Sequence, residues 1–113
     1  MKKIFCMLCL ISFTYASNFY KLYFEWKGEA TIKEKYENES KLKLFLKNYL
    51  KSNALSTFPT NLNIPFKDAF LTEYIYKKES DSKVKIISKG ADGILNTKDD
   101  VVHEFTLSEV LNE

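Results

Sequence analysis

The chain has 113 residues, with 17 Lys and no Arg, 15 acidic residues, a formal net charge of +2 and 15% aromatic residues. That length holds one small domain. Near-balanced charge without a guanidinium argues against nucleic-acid binding, which draws on a basic excess and planar phosphate forks.

The first segment, MKKIFCMLCLISFTYA, reads as a secretory signal. Lys2 and Lys3 precede an apolar run from Ile4 to Phe13, and Thr14 and Ala16 take the two small-residue positions before a cut. The run is well short of the ~20 residues that span a bilayer. The expected division is therefore a signal peptide at 1–16 and a single domain at 17–113. The destination is the periplasm or the extracellular space, with no membrane span after cleavage. Cys6 and Cys9 leave with the signal. The remaining 97 residues then contain no cysteine, and 15 Lys face 15 acids. Stability has to come from an aromatic core or a bound metal, because so small a domain buries a modest share of its surface.

Residues 19–37 fit two patterns. Tyr20, Leu22, Phe24 and Trp26 alternate as on a strand, while Phe19, Leu22, Tyr23, Trp26 and Ala30 form a helical stripe. The Lys/Glu-rich continuation from Glu29 to Glu39 tips the reading to helix. The next segment, ESKLKLFLKNYLKSN, predicts an amphipathic helix, with Leu42, Phe45, Leu46, Tyr49 and Leu50 on one face and lysines opposite. A loop with Pro59 and Pro65 follows. LTEYIYKKE and KVKIIS then read as two strands around a turn at Glu79–Lys83, and VVHEF as a third. Thr106 and Glu109 form a T-x-x-E capping box for a short last helical turn. The expected class is α+β: N-terminal amphipathic helices packed on a small three-stranded antiparallel sheet.

Between the second and third strands lies SKGADGILNTKDD, residues 88–100. It gathers Asp92, Asp99 and Asp100, three of the five aspartates in the chain. A hard cation takes 6–8 oxygen ligands, and clustered carboxylates supply its charge. Gly90 and Gly93 suit the positive φ that turns carbonyls inward. The EF-hand template fails, since Ile94, Thr97 and His103 fall where it needs an acid, a glycine and a glutamate. Two plainer readings stand beside the cation: an Asx turn at Asp92–Gly93 and solvated aspartates at 99 and 100.

The stretch ISKGADGILNTKDDVV resembles the C-terminal calcium loop of the type II secretion system protein G family, the major pseudopilins. Phe58-Pro59-Thr60 is similar to that family's aromatic–Pro–Thr turn. Pro65, Phe66, Tyr74 and Tyr76 are similar to its Pro-aromatic and Tyr-x-Tyr segment, with Ile64 in place of an aspartate. The likeness spans residues 38–105. It implies a Ca2+ ion held by the side chains of Asp92, Asp99 and Asp100, with backbone carbonyls at Lys89, Thr97 and His103 completing the shell. The family's prepilin N-terminal helix is not matched, because Lys21, Glu25, Lys27 and Glu29 charge the corresponding region.

The function so implied is a non-enzymatic structural or interaction role in protein secretion, with secretion-system proteins as partners. The alternative is a periplasmic binding or adhesion module that uses the calcium loop only as a staple. A small metal-dependent hydrolase ranks behind both, because an oxygen-saturated calcium site leaves little room for an activated water. No catalytic residue stands out. His103, the single histidine, is expected on a strand, Asp68 is expected to cap a turn, and the serines lack a nucleophile-elbow context.

Overall fold

The computed structural model describes residues 19–112. The expected signal peptide at 1–16, with Cys6 and Cys9, lies outside them.

The described chain starts as helix. An α-helical stretch at 19–33 (α1) passes through a π-helical turn at Glu34–Asn38 into α2, Glu39–Ser52. Helix therefore prevails over strand in the ambiguous N-terminal segment. Each added residue extends an existing ladder, so a strong helix former such as α2 recruits its neighbour cheaply. Leu42, Leu46 and Leu50 are fully buried, and Phe45 and Tyr49 half-buried, as the periodicity predicts. Each buried leucine contributes about 1.5–3 kcal/mol of burial energy. α2 ends in a Schellman motif. Ala54 takes a left-handed φ of 52°, while its amide bonds Lys51 O at 3.3 Å and the Leu55 amide bonds Leu50 O at 2.9 Å.

The sheet has the order β1-β2-β3 and is antiparallel throughout, with β1 at Ile75–Ser80, β2 at Lys83–Ser88 and β3 at Val101–Thr106. Lys78 faces Val84, and a bulge follows before Ser80, so the hairpin turn tightens to Asp81 and Ser82. The first strand starts later than LTEYIYKKE suggests. Asp68 accounts for the delay, since its Oδ1 accepts from the Phe70 and Thr72 amides at 3.0 and 2.8 Å and wraps 68–72 into a turn. Asp68 is a turn cap, as its sequence context suggests.

Val84 and Ile86 of β2 and Phe105 of β3 meet the leucines of α2 and Phe58 in one core. Tyr76 fastens the proline-containing loop, donating to Pro59 O at 2.7 Å. α3, Leu107–Leu111, is capped by Thr106, whose Oγ1 accepts from the Glu109 amide at 3.3 Å, and it buries Val110. The architecture is α+β, with a long N-terminal helix on a three-stranded sheet. The aspartate loop leaves the end of β2 and returns at the start of β3.

Candidate functional site: the aspartate loop

The loop is built from two tight turns. Gly93 N bonds Gly90 O at 3.2 Å, and Asp100 N bonds Thr97 O at 3.2 Å. Gly90 and Gly93 hold positive φ values of 72° and 65°, as their place in the sequence suggests. Only at Gly90 is the missing side chain also a matter of space, because a Cβ there would run into the carbonyl of Asp99. The two ends of the loop thus cross at backbone distance. A buried relay fixes the entry. Ser88 Oγ donates to Asp68 Oδ2 at 2.6 Å and accepts from the Gly90 amide at 3.3 Å.

The three carboxylates have separate surroundings. Asp92 Oδ1 accepts from the Ile94 amide at 3.0 Å, which is the Asx turn. The Thr97 hydroxyl first, then that amide, hold the Asp92 carboxyl below its ordinary range. Asp99 Oδ1 meets the Lys27 ammonium of α1 at 2.8 Å. That hydrogen bond holds the lysine above its ordinary value. Asp100 Oδ2 accepts from the Asn96 amide at 2.7 Å, while its Oδ1 is buried with no hydrogen-bond partner. Thr97 Oγ1 donates to Ile94 O at 3.2 Å, Lys89 is half-buried just beyond β2, and His103 lies in β3 opposite Ile86. Among the described residues, no three His, Cys, Asp or Glu side chains converge as a metal-holding group. The structure gathers the aspartates into one loop but does not bring their carboxylates into a single shell.

Two features of the loop nevertheless suit a hard cation. A buried carboxylate oxygen without a donor is costly unless something positive meets it. The crossing at Gly90 also brings the Asp99 carbonyl against the start of the loop. The available donors are all oxygens, the set that calcium takes.

A second polar assembly lies in the core, and sequence reading missed it. Glu34, in the π-helical turn, is fully buried. Its Oε1 accepts from Asn38 Nδ2 at 3.0 Å and the Ala69 amide at 2.8 Å. Its Oε2 accepts from Tyr74 OH at 2.6 Å and His103 Nε2 at 2.7 Å. A carboxylate is acceptor-only, which assigns the proton to Nε2. Burial pushes the Glu34 carboxyl up, but the bonds from His103, Tyr74 and Ala69 outweigh it and leave it below its ordinary value. Burial and the Glu34 hydrogen bond push the Tyr74 phenol up. One hint was available in VVHEF. Alternation turns Val101, His103 and Phe105 inward together, and an inward histidine demands a partner.

This cluster joins the helix, the 68–72 turn and the sheet, and every polar atom of Glu34 is satisfied from within. It is a structural hub. No known protein family, curated protein or solved structure matches the chain.

Proposed function

We propose that the chain is an exported, non-enzymatic calcium-binding module, similar to the globular part of a type II secretion pseudopilin, with a structural or interaction role among secretion proteins. The observation that carries this reading is the buried, unpartnered Oδ1 of Asp100 in a loop whose ends cross at Gly90. Asp92, Asp99 and Asp100, with carbonyls at Lys89, Thr97 and His103, are the residues that would hold the ion. Bound calcium supplies charge neutralisation and a cross-link between the two ends of the loop. The chain's own residues do the positioning: Ser88 and Asp68 fix the entry, and β3 fixes the exit. The same reading accounts for a loop with three carboxylates of which only Asp99 meets a cationic side chain among the described residues.

Thermal melts in calcium, in magnesium and in EGTA test it. Extracellular calcium modules bind at about 10⁻⁴–10⁻³ M. Calcium at about 1 mM then adds about 0.4–1.4 kcal/mol through preferential binding to the folded state, a rise of roughly 2–11 °C for a domain of this size. Magnesium, which demands a tighter octahedron, produces less. Asp100→Ala abolishes the calcium shift. Identical melts in calcium and EGTA would remove the calcium reading.

A second reading, a periplasmic binding or adhesion module with the loop as a staple, draws on the exposed Phe19, Tyr20, Leu22 and Phe24 of α1. Affinity capture from an envelope extract separates the two. Secretion components support the first, and a carbohydrate or surface ligand supports the second.

A further inference from the structure

The body holds α1 from Trp26 onward. Trp26 meets Phe70 edge-on at 5.6 Å, Lys27 pairs with Asp99 at 2.8 Å and Ala30 is buried. The turns before it are apolar and uncovered among the described residues: Phe19, Tyr20, Leu22 and Phe24 are 65%, 61%, 64% and 65% exposed. At about 100° per residue these four side chains occupy an arc of about 200° around the helix. A helix seated on one protein surface presents a narrower stripe, whereas an apolar medium meets it on most sides. The four residues expose on the order of 500 Å². That is the size of a patch that marks an interaction site, yet it is short of the ~800 Å² per partner of a standard protein interface. The stretch from Phe19 to Phe24 rises about 9 Å, which matches the ~5–10 Å to which interfacial helices sink into the headgroup boundary. The chain ahead of this stretch carries the apolar run Ile4–Phe13 behind Lys2 and Lys3. A chain that enters a bilayer with that run brings Phe19, six positions beyond Phe13, to the bilayer surface.

We propose that the first turns of α1 insert end-on into the lipid–water interface of a bilayer and hold the domain against that surface without crossing it. The proposal is independent of the calcium reading, and it gives the exposed aromatic residues a lipid surface in place of a soluble partner. Among the described residues no helix is long and apolar enough to cross a membrane. End-on entry accounts for the width of the arc, because lipid surrounds the end of a helix instead of lining one side of it. Tyr20 combines an apolar ring with a polar tip, the chemistry enriched at this depth. Lys21, exposed within the same turns, lays its stem along apolar surface and carries its ammonium to the headgroup phosphates.

Trp26 is the only tryptophan in the chain, so the double substitution Phe24→Trp/Trp26→Phe moves the one indole into the patch. The protein is purified with its N-terminus established by mass spectrometry and mixed with phosphatidylethanolamine–phosphatidylglycerol vesicles. The lipids carry bromine either close to the headgroups or at the chain ends. The expected result is flotation with the vesicles, a blue shift of the emission, and stronger quenching by the shallow bromine than by the deep one. Adding Phe19→Ser/Leu22→Ser removes the shift and the quenching. Circular dichroism and thermal melts without lipid confirm that these exposed substitutions leave the fold intact. Protein that does not float, or that floats with its indole unquenched, overturns the proposal. So does quenching that Phe19→Ser/Leu22→Ser leaves undiminished. Quenching equal at both depths places α1 across the bilayer and overturns the interfacial position. A blue shift that grows with protein concentration in the absence of lipid assigns the patch to a second copy of the chain and overturns the proposal as well.

Discussion

The hub around Glu34 makes the sharpest prediction. Glu34→Ala leaves four donors facing a void: Asn38 Nδ2, the Ala69 amide, Tyr74 OH and His103 Nε2. A hydrogen bond to a charged acceptor contributes about 1.5–3 kcal/mol, but bonds that share one acceptor do not add. Leaving a buried donor without an acceptor costs about 1–3 kcal/mol, and four such donors that do not add fully set an expected loss of about 3–5 kcal/mol. A domain of this size has roughly 5–14 kcal/mol in total, so the variant loses a large fraction of its stability. Its melting temperature drops by roughly 12–40 °C. Urea unfolding followed by far-UV circular dichroism measures the loss directly. The double variant Glu34→Leu/His103→Leu is expected to lose less than the sum of its single changes, because no buried charge is then stranded.

Acid titration supplies an independent arm. The folded-state pKa of Glu34 is depressed, so between the folded and unfolded values the unfolded chain binds more protons. Its contribution is therefore complete above the unfolded value of about 4.3 and is lost as pH falls through the lower folded value. Glu34→Gln should flatten that acidic limb. A Glu34→Ala loss below about 1 kcal/mol, the range of an exposed pair, would refute the assignment of the cluster as a structural hub.

Two further substitutions probe the loop and the core. Gly90→Ala is expected to cost at least about 2 kcal/mol, combining left-handed strain of about 1–2 kcal/mol with the collision at Asp99. Gly93→Ala, at φ 65° but facing open space, carries only the strain, and urea unfolding of the pair separates the two effects. Leu46→Ala should cost about 2–5 kcal/mol as a core cavity, and the exposed Leu44→Ala about 0.5 kcal/mol or less. Similar losses for the two leucines would mean that the apolar face has been misassigned.

The elements with strong periodicity were readable. Leu42, Leu46 and Leu50 announce α2 by spacing, KVKIIS and VVHEF announce strands by β-branched runs, and Thr106 with Glu109 announces the last helix by its cap. The turn signals at Gly90 and Gly93 were equally direct. What escaped depends on contacts distant in sequence. Nothing near Glu34 distinguishes it from the surrounding surface glutamates. Its burial follows from His103, 69 residues later, and Tyr74, 40 residues later. The late start of β1 escaped for the same reason, since Asp68 claims the Thr72 amide locally and Ser88 secures Asp68 from the neighbouring strand. At the loop, the positions of the aspartates were plain, but the partner of Asp99 was not, because Lys27 lies on a helix 72 residues upstream.

The π-helical turn at Glu34–Asn38 also acts as a phase spacer. Ala30 and Leu42 are twelve positions apart, which on a regular α-helix would set them about 120° out of register. One residue's worth of extra winding room takes back about 100°, so the apolar stripes before and after the turn point to the same side of a single rod. Deleting the exposed Lys35 should therefore convert the turn to regular α-helix, leaving eleven positions between the two residues and the same offset of about 20°. Trp26 then stays against Phe70 and the leucine face of α2 stays where it is, and the change falls on the bonds of Glu34 and Asn38 within the turn.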